Sequence, residues 1–310
     1  MPIELNQINL NEEYELIIDK FSNIKLIVMD LDGTVLDHSN DSSEEIHEIS
    51  GLCKRLLSNF NILSMVATGR TLAGSKHIVN KLIGKNNVPI ITYNGSVTLH
   101  NTNSNIIDQK FIPQKSVKEI LMVTKSYIGI KNLFYYFEDN IMSHNEYVRG
   151  WTDGIRDDFE FNKQVVTWVD DIFNLQDGDS LPSAILIDIL HCPAKQDIIE
   201  KFQSIHEISV TSSGDRYIEI RPYGSDKGVA LNIVSNHLGI DISTILTIGD
   251  NDNDVEMLKY SGVSVSITNA SWLAKSNSDF ITTSGAFAGV LEVLRLIVEV
   301  NRLKGKKNNV

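Results

Sequence analysis

Two carboxylates, Asp30 and Asp32, stand two residues apart directly after the short apolar run Leu26–Met29. Gly33 follows them, and a glycine lets the chain turn sharply without a side-chain clash. A carboxylate can attack phosphorus when a cation offsets the repulsion between anions, and a second acid can then protonate the leaving oxygen. An acidic turn would give the same Asp-x-Asp spacing. The five-residue segment after the apolar run favours a nucleophile paired with a general acid over a simple turn. Its sequence is Asp30-Leu31-Asp32-Gly33-Thr34.

A second acidic segment, residues 249–254, follows another apolar run and contains Asp250, Asp252 and Asp254. Such a density of carboxylates is costly in mutual repulsion unless a cation or solvent relieves it. A calcium loop of the EF-hand type is excluded because Val255 and Ser261 occupy the positions that need Gly and Glu. Oxygen ligands suit magnesium, and the histidines lack a zinc-type spacing. We therefore predict a Mg2+ site shared with Asp30.

Thr68 and Lys227 are candidates for holding phosphate. Thr68 lies between a predicted strand and a predicted helix, so its hydroxyl and nearby backbone N–H groups could bind a phosphate oxygen. Lys227 opens a predicted helix and offers a point charge. Either residue alone is weak evidence, since a lone lysine usually lies at the surface.

Short apolar runs that end in polar or glycine residues alternate with helix-like stretches, which predicts an α/β fold. The predicted strands are 26–29, 62–67, 88–92, 245–248 and 263–267, and the predicted helices are 43–59, 72–83, 228–238 and 254–260. The carboxyl ends of parallel strands form the ligand-binding edge of an open sheet. Polar candidates follow four of these strands, so we expect them to converge there: Asp30, Asp32, Thr68, Asn94 and Asp250.

The chain length suits two domains. We predict a Rossmann-like, doubly wound parallel sheet core from residues 1–95 and 221–310, with a helical N-terminal addition over 1–23. Residues 96–220 are predicted to form an inserted α/β domain. The short stretch between Asp32 and Thr68 is used by one helix and one strand, so a large insertion fits only between Thr68 and Lys227.

Composition limits the partners. A net charge of −12 and a pI near 5.1 argue against nucleic acid or anionic membrane as a partner and favour a small molecule. The chain has no apolar run of about 20 residues and no signal-peptide pattern at its start, so no membrane association is predicted. The two cysteines, Cys53 and Cys192, suit a reducing compartment and predict a cytoplasmic location. Monomer and dimer are equally compatible with the sequence.

Taken in order, these segments resemble the haloacid dehalogenase (HAD) superfamily, and within it the Cof-type phosphatases with a type IIB cap. The string from Asp30 to Thr34 is similar to the first family motif, Thr68 to the second and Lys227 to the third. The fourth motif corresponds to Gly249-Asp250-x-x-Asn253-Asp254-x-x-Met257. The resemblance covers nearly the whole chain.

The resemblance implies specific roles. Asp30 would be the nucleophile, and Asp32 the general acid that later activates water. Thr68, Lys227 and Asn253 would bind the phosphoryl group. The implied Mg2+ ligands are Asp30, the backbone carbonyl of Asp32 and Asp250, with Asp254 in support. Asn94, beside the junction with the inserted domain, is a weaker candidate for substrate contact.

The leading hypothesis is a magnesium-dependent phosphatase that hydrolyses a small phosphorylated metabolite, such as a sugar phosphate, through an aspartyl-phosphate. A phosphomutase or phosphotransferase is the first alternative, because type IIB caps also occur in phosphomannomutases. A non-catalytic protein that binds a phosphorylated ligand on the same fold is the second.

Overall fold

The computed structural model describes residues 2–5, 14–37, 43–84, 88–100, 105–130, 132–139, 145–152, 160–161, 164–168, 181–213 and 216–307. These residues form two compact units. The first consists of what is described of Met1–Gly69, Ser75–Asn103 and Asp226–Val310, and the second of Arg70–Gly74 and Ser104–Ser225.

The secondary structure alternates over the chain. The strands are β1 Ile3–Glu4, β2 Leu26–Met29, β3 Leu63–Ala67, β4 Pro89–Thr92, β5 Val97–His100, β6 Ile106–Gln109, β7 Asn132–Asp139, β8 Asn145–Thr152, β9 Glu160–Phe161, β10 Gln164–Trp168, β11 Ala184–Asp188, β12 Ile208–Ser213, β13 Tyr217–Pro222, β14 Ile245–Gly249, β15 Val263–Ser266 and β16 Phe280–Ile281. The helices are α1 Tyr14–Ser22, α2 Ser43–Phe60, α3 Leu72–Leu82, α4 Gln114–Ser126, α5 Lys195–Gln203, α6 Lys227–Leu238, α7 Val255–Tyr260, α8 Trp272–Ser276 and α9 Ala286–Lys307.

The first unit is built on a sheet in the order β1-β16-β15-β14-β2-β3-β4-β5. Its strands pair in parallel except β4 and β5, which are antiparallel. Every residue of β2 and β14 is buried, as expected for apolar strands covered on both faces. The predicted α/β fold with a parallel core sheet is confirmed.

Strand β5 extends this sheet beyond the predicted boundary at residue 95. Its residues pair with β4, from Thr92 opposite Val97 to Pro89 opposite His100. A tight turn at Tyr93–Gly95 joins the two strands and keeps this segment in the first unit. The predicted boundary at residue 95 therefore falls within this turn and assigns β5 to the inserted domain.

The N-terminal segment contributes a strand as well as a helix. In α1, Ile17 and Phe21 are buried, and the Phe21 ring lies 5.2 Å from that of Phe280. The two residues of β1 pair in parallel with β16. A strand this short has no periodicity, so the sequence pattern predicts only a helix for residues 1–23.

The second unit has its own sheet, in the order β12-β13-β11-β7-β8-β10-β9. Its pairings are antiparallel except for that between β8 and β10. Helices α4 and α5 bury Ile120, Ile198 and Phe202 against Ile187 and Ile218 of the sheet. The second unit is therefore an inserted α/β domain with its own core.

Two features of the structure relate to the redox state of the cysteines and to membranes. Cys53 and Cys192 are both buried and free. Within the described ranges, no helix is both long enough and apolar enough to cross a bilayer.

Candidate active site

Asp30 lies at the carboxyl end of β2, where the chain leaves the sheet. Its N–H donates to the carbonyl of Ile248 in β14, at 3.0 Å, and its side chain is 5% exposed. The following residues form a tight turn in which the N–H of Val35 donates to the carbonyl of Leu31 at 2.9 Å. The carboxylate of Asp30 is therefore fixed at the edge of the sheet beside β14.

The turn after β2 holds the side chain of Asp250, which follows β14. Thr34 donates its hydroxyl to Oδ1 of Asp250 at 2.7 Å. Gly33 has φ +90°, and a Cβ at this position would lie 2.4 Å from Oδ2 of Asp250. Glycine is thus required here for both its backbone conformation and its lack of a side chain.

Lys227 is fully buried at the first turn of α6. The helix begins there because Asp226 caps it, accepting from the N–H of Val229 at 2.7 Å. The Lys227 ammonium donates to Oδ1 of Asp30 at 2.5 Å and to Oδ1 of Asp254 at 2.7 Å. A lysine at the start of a helix has therefore become the bridge between two carboxylates.

Asp254 is held by the loop that contains it. Its Oδ2 accepts from the N–H groups of Asp250 and Asn251, at 2.9 and 3.1 Å. A Cβ on Gly249 would lie 2.8 Å from the same Oδ2. This loop therefore brings Asp254 to Lys227 in one orientation.

Asp30, Asp250 and Asp254 form a cluster in which one carboxylate oxygen of each lies within 4.8 Å of the others. When all three are ionised, their charge exceeds that of the Lys227 ammonium by two. Oxygen donors with this surplus suit a hard divalent cation. Asp32 is half-buried, and its carboxylate is not part of the cluster. The resemblance implies that Asp32 contacts the metal through its backbone carbonyl instead.

Asp252 lies outside this cluster, although the sequence places it between two of the clustered acids. Its side chain is exposed and accepts from the hydroxyl of Ser271 at 2.6 Å. Two of the three acids in this segment therefore face the site, and the third faces solvent.

The charges of the site influence one another. Burial raises the pKa of Asp30 well above its usual range; Asp254 and Asp250 add to the rise, and Lys227 opposes it. Burial disfavours the charged form of Lys227, but Asp254 and Asp30 outweigh burial and raise its pKa. The ammonium therefore stays charged. A bound cation would favour the ionised form of Asp30.

Thr68, Asn94 and Asn253 lie together. The carbonyl of Thr68 accepts from the N–H of Asn94 at 3.0 Å, and the Thr68 side chain is buried. Oδ1 of Asn94 accepts from Nδ2 of Asn253 at 2.9 Å. The contact between the two asparagines was not predicted, and the sequence signal for it is slight: a Tyr-Asn-Gly turn after a strand.

We predict that Gly33→Ala weakens divalent-cation binding on the order of a hundredfold, because its Cβ would displace the carboxylate of Asp250. The measurement is the rise in thermal unfolding temperature with added Mg2+, which reports binding to the folded state. Gly84→Ala is the control, since Gly84 is also left-handed, at φ +72°, and its Cβ would meet nothing within 4 Å. Equal magnesium responses in the two variants would contradict the prediction.

The chain has relatives among known proteins. Residues 27–294 match the model of the haloacid dehalogenase-like hydrolase family. The chain is 24% identical over 272 residues to the 5-amino-6-(5-phospho-D-ribitylamino)uracil phosphatase YcsE of Bacillus subtilis, covering 88% of this chain and 95% of the relative. It is 28% identical over 289 residues to YwtE, a phosphatase of the same name and organism, with coverage of 86% and 96%. In structure it is similar to a HAD subclass IIB sugar phosphatase, with a TM-score of 0.67, 16% identity and coverage of 87% and 98%.

Proposed function

The chain belongs to the haloacid dehalogenase-like hydrolase family and is a phosphatase, and we propose that it cleaves a small sugar phosphate, with Mg2+, through a phosphorylated Asp30. The observation that supports this most directly is the position of Asp30 at the sheet edge. There it contacts a buried ammonium and lies within 4.8 Å, oxygen to oxygen, of two further carboxylates.

In the first half-reaction, a carboxylate oxygen of Asp30 attacks phosphorus and the bond to the leaving oxygen breaks. Asp32, on the turn two residues later, gives a proton to that oxygen. In the second half-reaction, the Asp32 carboxylate takes a proton from water as the water oxygen attacks phosphorus. The bond between phosphorus and Asp30 then breaks, releasing phosphate and restoring both acids.

The phosphoryl group would be bound by Lys227, Thr68 and Asn253. Lys227 carries positive charge into a fully buried position, where an electrostatic contact is stronger than in water. Its two carboxylate contacts fix the ammonium before substrate arrives. Positive charge aimed at the transferred group needs no rearrangement during the reaction, which is how such contacts lower a barrier.

The proposed metal ligands are Asp30, Asp250 and the backbone carbonyl of Asp32, with Asp254 supporting them. When bound, Mg2+ supplies positive charge that offsets the repulsion between the phosphate and the carboxylates. Thr34 orients Asp250 through its hydrogen bond, and Lys227 orients Asp254.

The substrate class is inferred from the relatives. The YcsE and YwtE names specify a phosphate on a ribityl group, and the structural relative is named a sugar phosphatase. A phosphate ester of a small polyhydroxylated molecule agrees with all three. Location in the cytoplasm, consistent with the two free cysteines, belongs to the same proposal.

Release of inorganic phosphate tests the proposal. With p-nitrophenyl phosphate and a panel of sugar phosphates, we expect phosphate release with Mg2+, loss of release on chelation with EDTA, and recovery when Mg2+ is restored. Product analysis separates hydrolysis from a phosphomutase, which would return an isomeric phosphate. If no substrate released phosphate with Mg2+ present, the proposed reaction would be contradicted. If release were unchanged in EDTA, the proposed metal requirement would be contradicted.

A further inference from the structure

We propose that Asn94 is a positioning residue, which orients the carboxamide of Asn253 so that its N–H end is presented to the transferred phosphoryl group. The inference rests on the proposed function. It differs from the role that the sequence indicated for Asn94, a direct contact with substrate.

The hydrogen bond between the two amides determines which end of Asn253 can serve. Oδ1 of Asn94 accepts from Nδ2 of Asn253 at 2.9 Å. An amide nitrogen has two hydrogens, so one remains for a second acceptor. A phosphoryl oxygen can accept but not donate, and it therefore needs the nitrogen end of the carboxamide. By accepting one hydrogen, Asn94 disfavours the rotated arrangement in which the oxygen of Asn253 would occupy this place.

The opposite end of the Asn253 side chain, its Oδ1, makes no comparable contact. Oδ1 of Asn253 is buried and has no hydrogen-bond partner among the described residues. A buried acceptor without a partner is unfavourable. The carboxamide is thus held chiefly through its nitrogen, and Asn94 is the residue that receives it.

The backbone of Asn94 is itself firmly placed. Asn94 has φ 51° and ψ 34°, and Tyr93 and Gly95 on either side also have positive φ. Positive φ is unusual for a tyrosine and persists only when the surroundings impose it. The N–H of Asn94 donates to the carbonyl of Thr68 at 3.0 Å. A Cβ on Gly95 would lie 2.2 Å from the carbonyl oxygen of Asp226. The turn therefore fits closely between the β3 end and the start of α6.

Asparagine meets both demands of position 94. It tolerates the left-handed region better than most residues, and it supplies an acceptor. Glycine would adopt the same backbone but has no acceptor. Asn94 is 4% exposed, and its side chain fills the space beside Gly69, where a Cβ would lie 2.8 Å from the Asn94 Nδ2. The carboxamide of Asn94 is therefore packed in place.

The test is a double-mutant cycle on hydrolysis of p-nitrophenyl phosphate. Asn94→Gly removes the carboxamide and keeps the backbone, and we expect it to lower kcat about tenfold with a smaller change in KM. If Asn94 acts through Asn253, kcat of the double variant Asn94→Gly, Asn253→Ala should equal that of Asn253→Ala. A loss of loop structure unrelated to Asn253 would instead lower kcat further in the double variant.

Asn61→Gly is the matched control. Asn61 is also left-handed, at φ 56°, but it is exposed and lies at the amino end of β3, away from the site edge. We expect it to leave kcat unchanged. A wild-type kcat in Asn94→Gly, or losses that multiply in the double variant, would overturn the inference while leaving the phosphatase intact. An inactive wild type would instead remove the proposed function and the inference with it.

Discussion

Asp30→Asn should reduce phosphatase kcat by about 10^4-fold or more, because it removes the proposed nucleophile and leaves its surroundings in place. Asparagine has nearly the same shape as aspartate, and its oxygen can still accept from Lys227. The amide oxygen is a poor nucleophile, so no covalent phosphoryl-enzyme should accumulate. Rapid quenching of wild type with labelled substrate should trap phosphate on protein, and the same experiment on Asp30→Asn should not.

This loss should occur in a folded protein. In the metal-free protein, burial and two neighbouring carboxylates already disfavour the charged form of Asp30, and Lys227 keeps its contact with Asp254 in the variant. We therefore expect a free energy of unfolding in EDTA close to that of wild type, measured by urea denaturation. A variant with little activity and a large loss of stability would not support a chemical role for Asp30.

Asp252→Asn is the matched control for this variant. It makes the same substitution at an acid of the neighbouring loop that is exposed and outside the carboxylate cluster. We expect its kcat to stay within about twofold of wild type, as for most exposed substitutions. An equal loss of kcat in the two variants would show that the reaction needs negative charge near the site and not Asp30 in particular.

The sequence predicted the part of the site that depends on the order of strands. The bounds of β2 were predicted as observed, and β14 was predicted to within one residue. Both are short apolar runs that must be buried, and parallel strands bring their carboxyl ends to one edge. Asp30 and Asp250 could therefore be placed together from pattern alone.

The burial of Lys227 could not be predicted in this way. Lysine side chains are usually exposed. The complete burial of Lys227 depends on how closely α6 approaches α7. A Cβ on the next residue, Gly228, would lie 2.7 Å from the backbone of Glu256, so α6 fits tightly against α7. The Asn94 to Asn253 contact joins residues 159 apart and has no local signature. Such features arise from packing, which the periodicity of a sequence does not encode.

Lys227→Met should destabilise the protein by about 3–5 kcal/mol at neutral pH in EDTA, because it leaves Asp30 and Asp254 buried without their shared cation. Methionine is unbranched and only one atom shorter than lysine, so it leaves little empty space and the loss reports charge more than volume. Activity should fall by about 10^2- to 10^3-fold as well, since the phosphoryl group loses a preorganised positive contact. Urea denaturation and p-nitrophenyl phosphate hydrolysis measure the two effects.

The pH dependence of this loss identifies its cause. Lys227 lowers the pKa of Asp30 against burial, so removing it raises that pKa further. A carboxyl group whose pKa is raised by folding destabilises the protein as pH rises from its ordinary pKa to the raised one. The stability difference from wild type should therefore be smaller at pH 5 than at pH 8. The double variant Lys227→Met, Asp30→Asn should regain part of the loss, because one unpaired carboxylate is gone.

Lys259→Met separates this effect from the ordinary loss of an ion pair. Lys259 contacts Glu256 at 2.9 Å on the exposed face of α7, with 47% of its side chain exposed. Exposed pairs of this kind contribute about 0–1 kcal/mol, so its variant should be nearly as stable as wild type at both pH values. The two lysines make the same type of contact at similar distances and differ in burial. If Lys227→Met lost no more stability than Lys259→Met, the buried contacts of Lys227 with Asp30 and Asp254 would not be what stabilises the site.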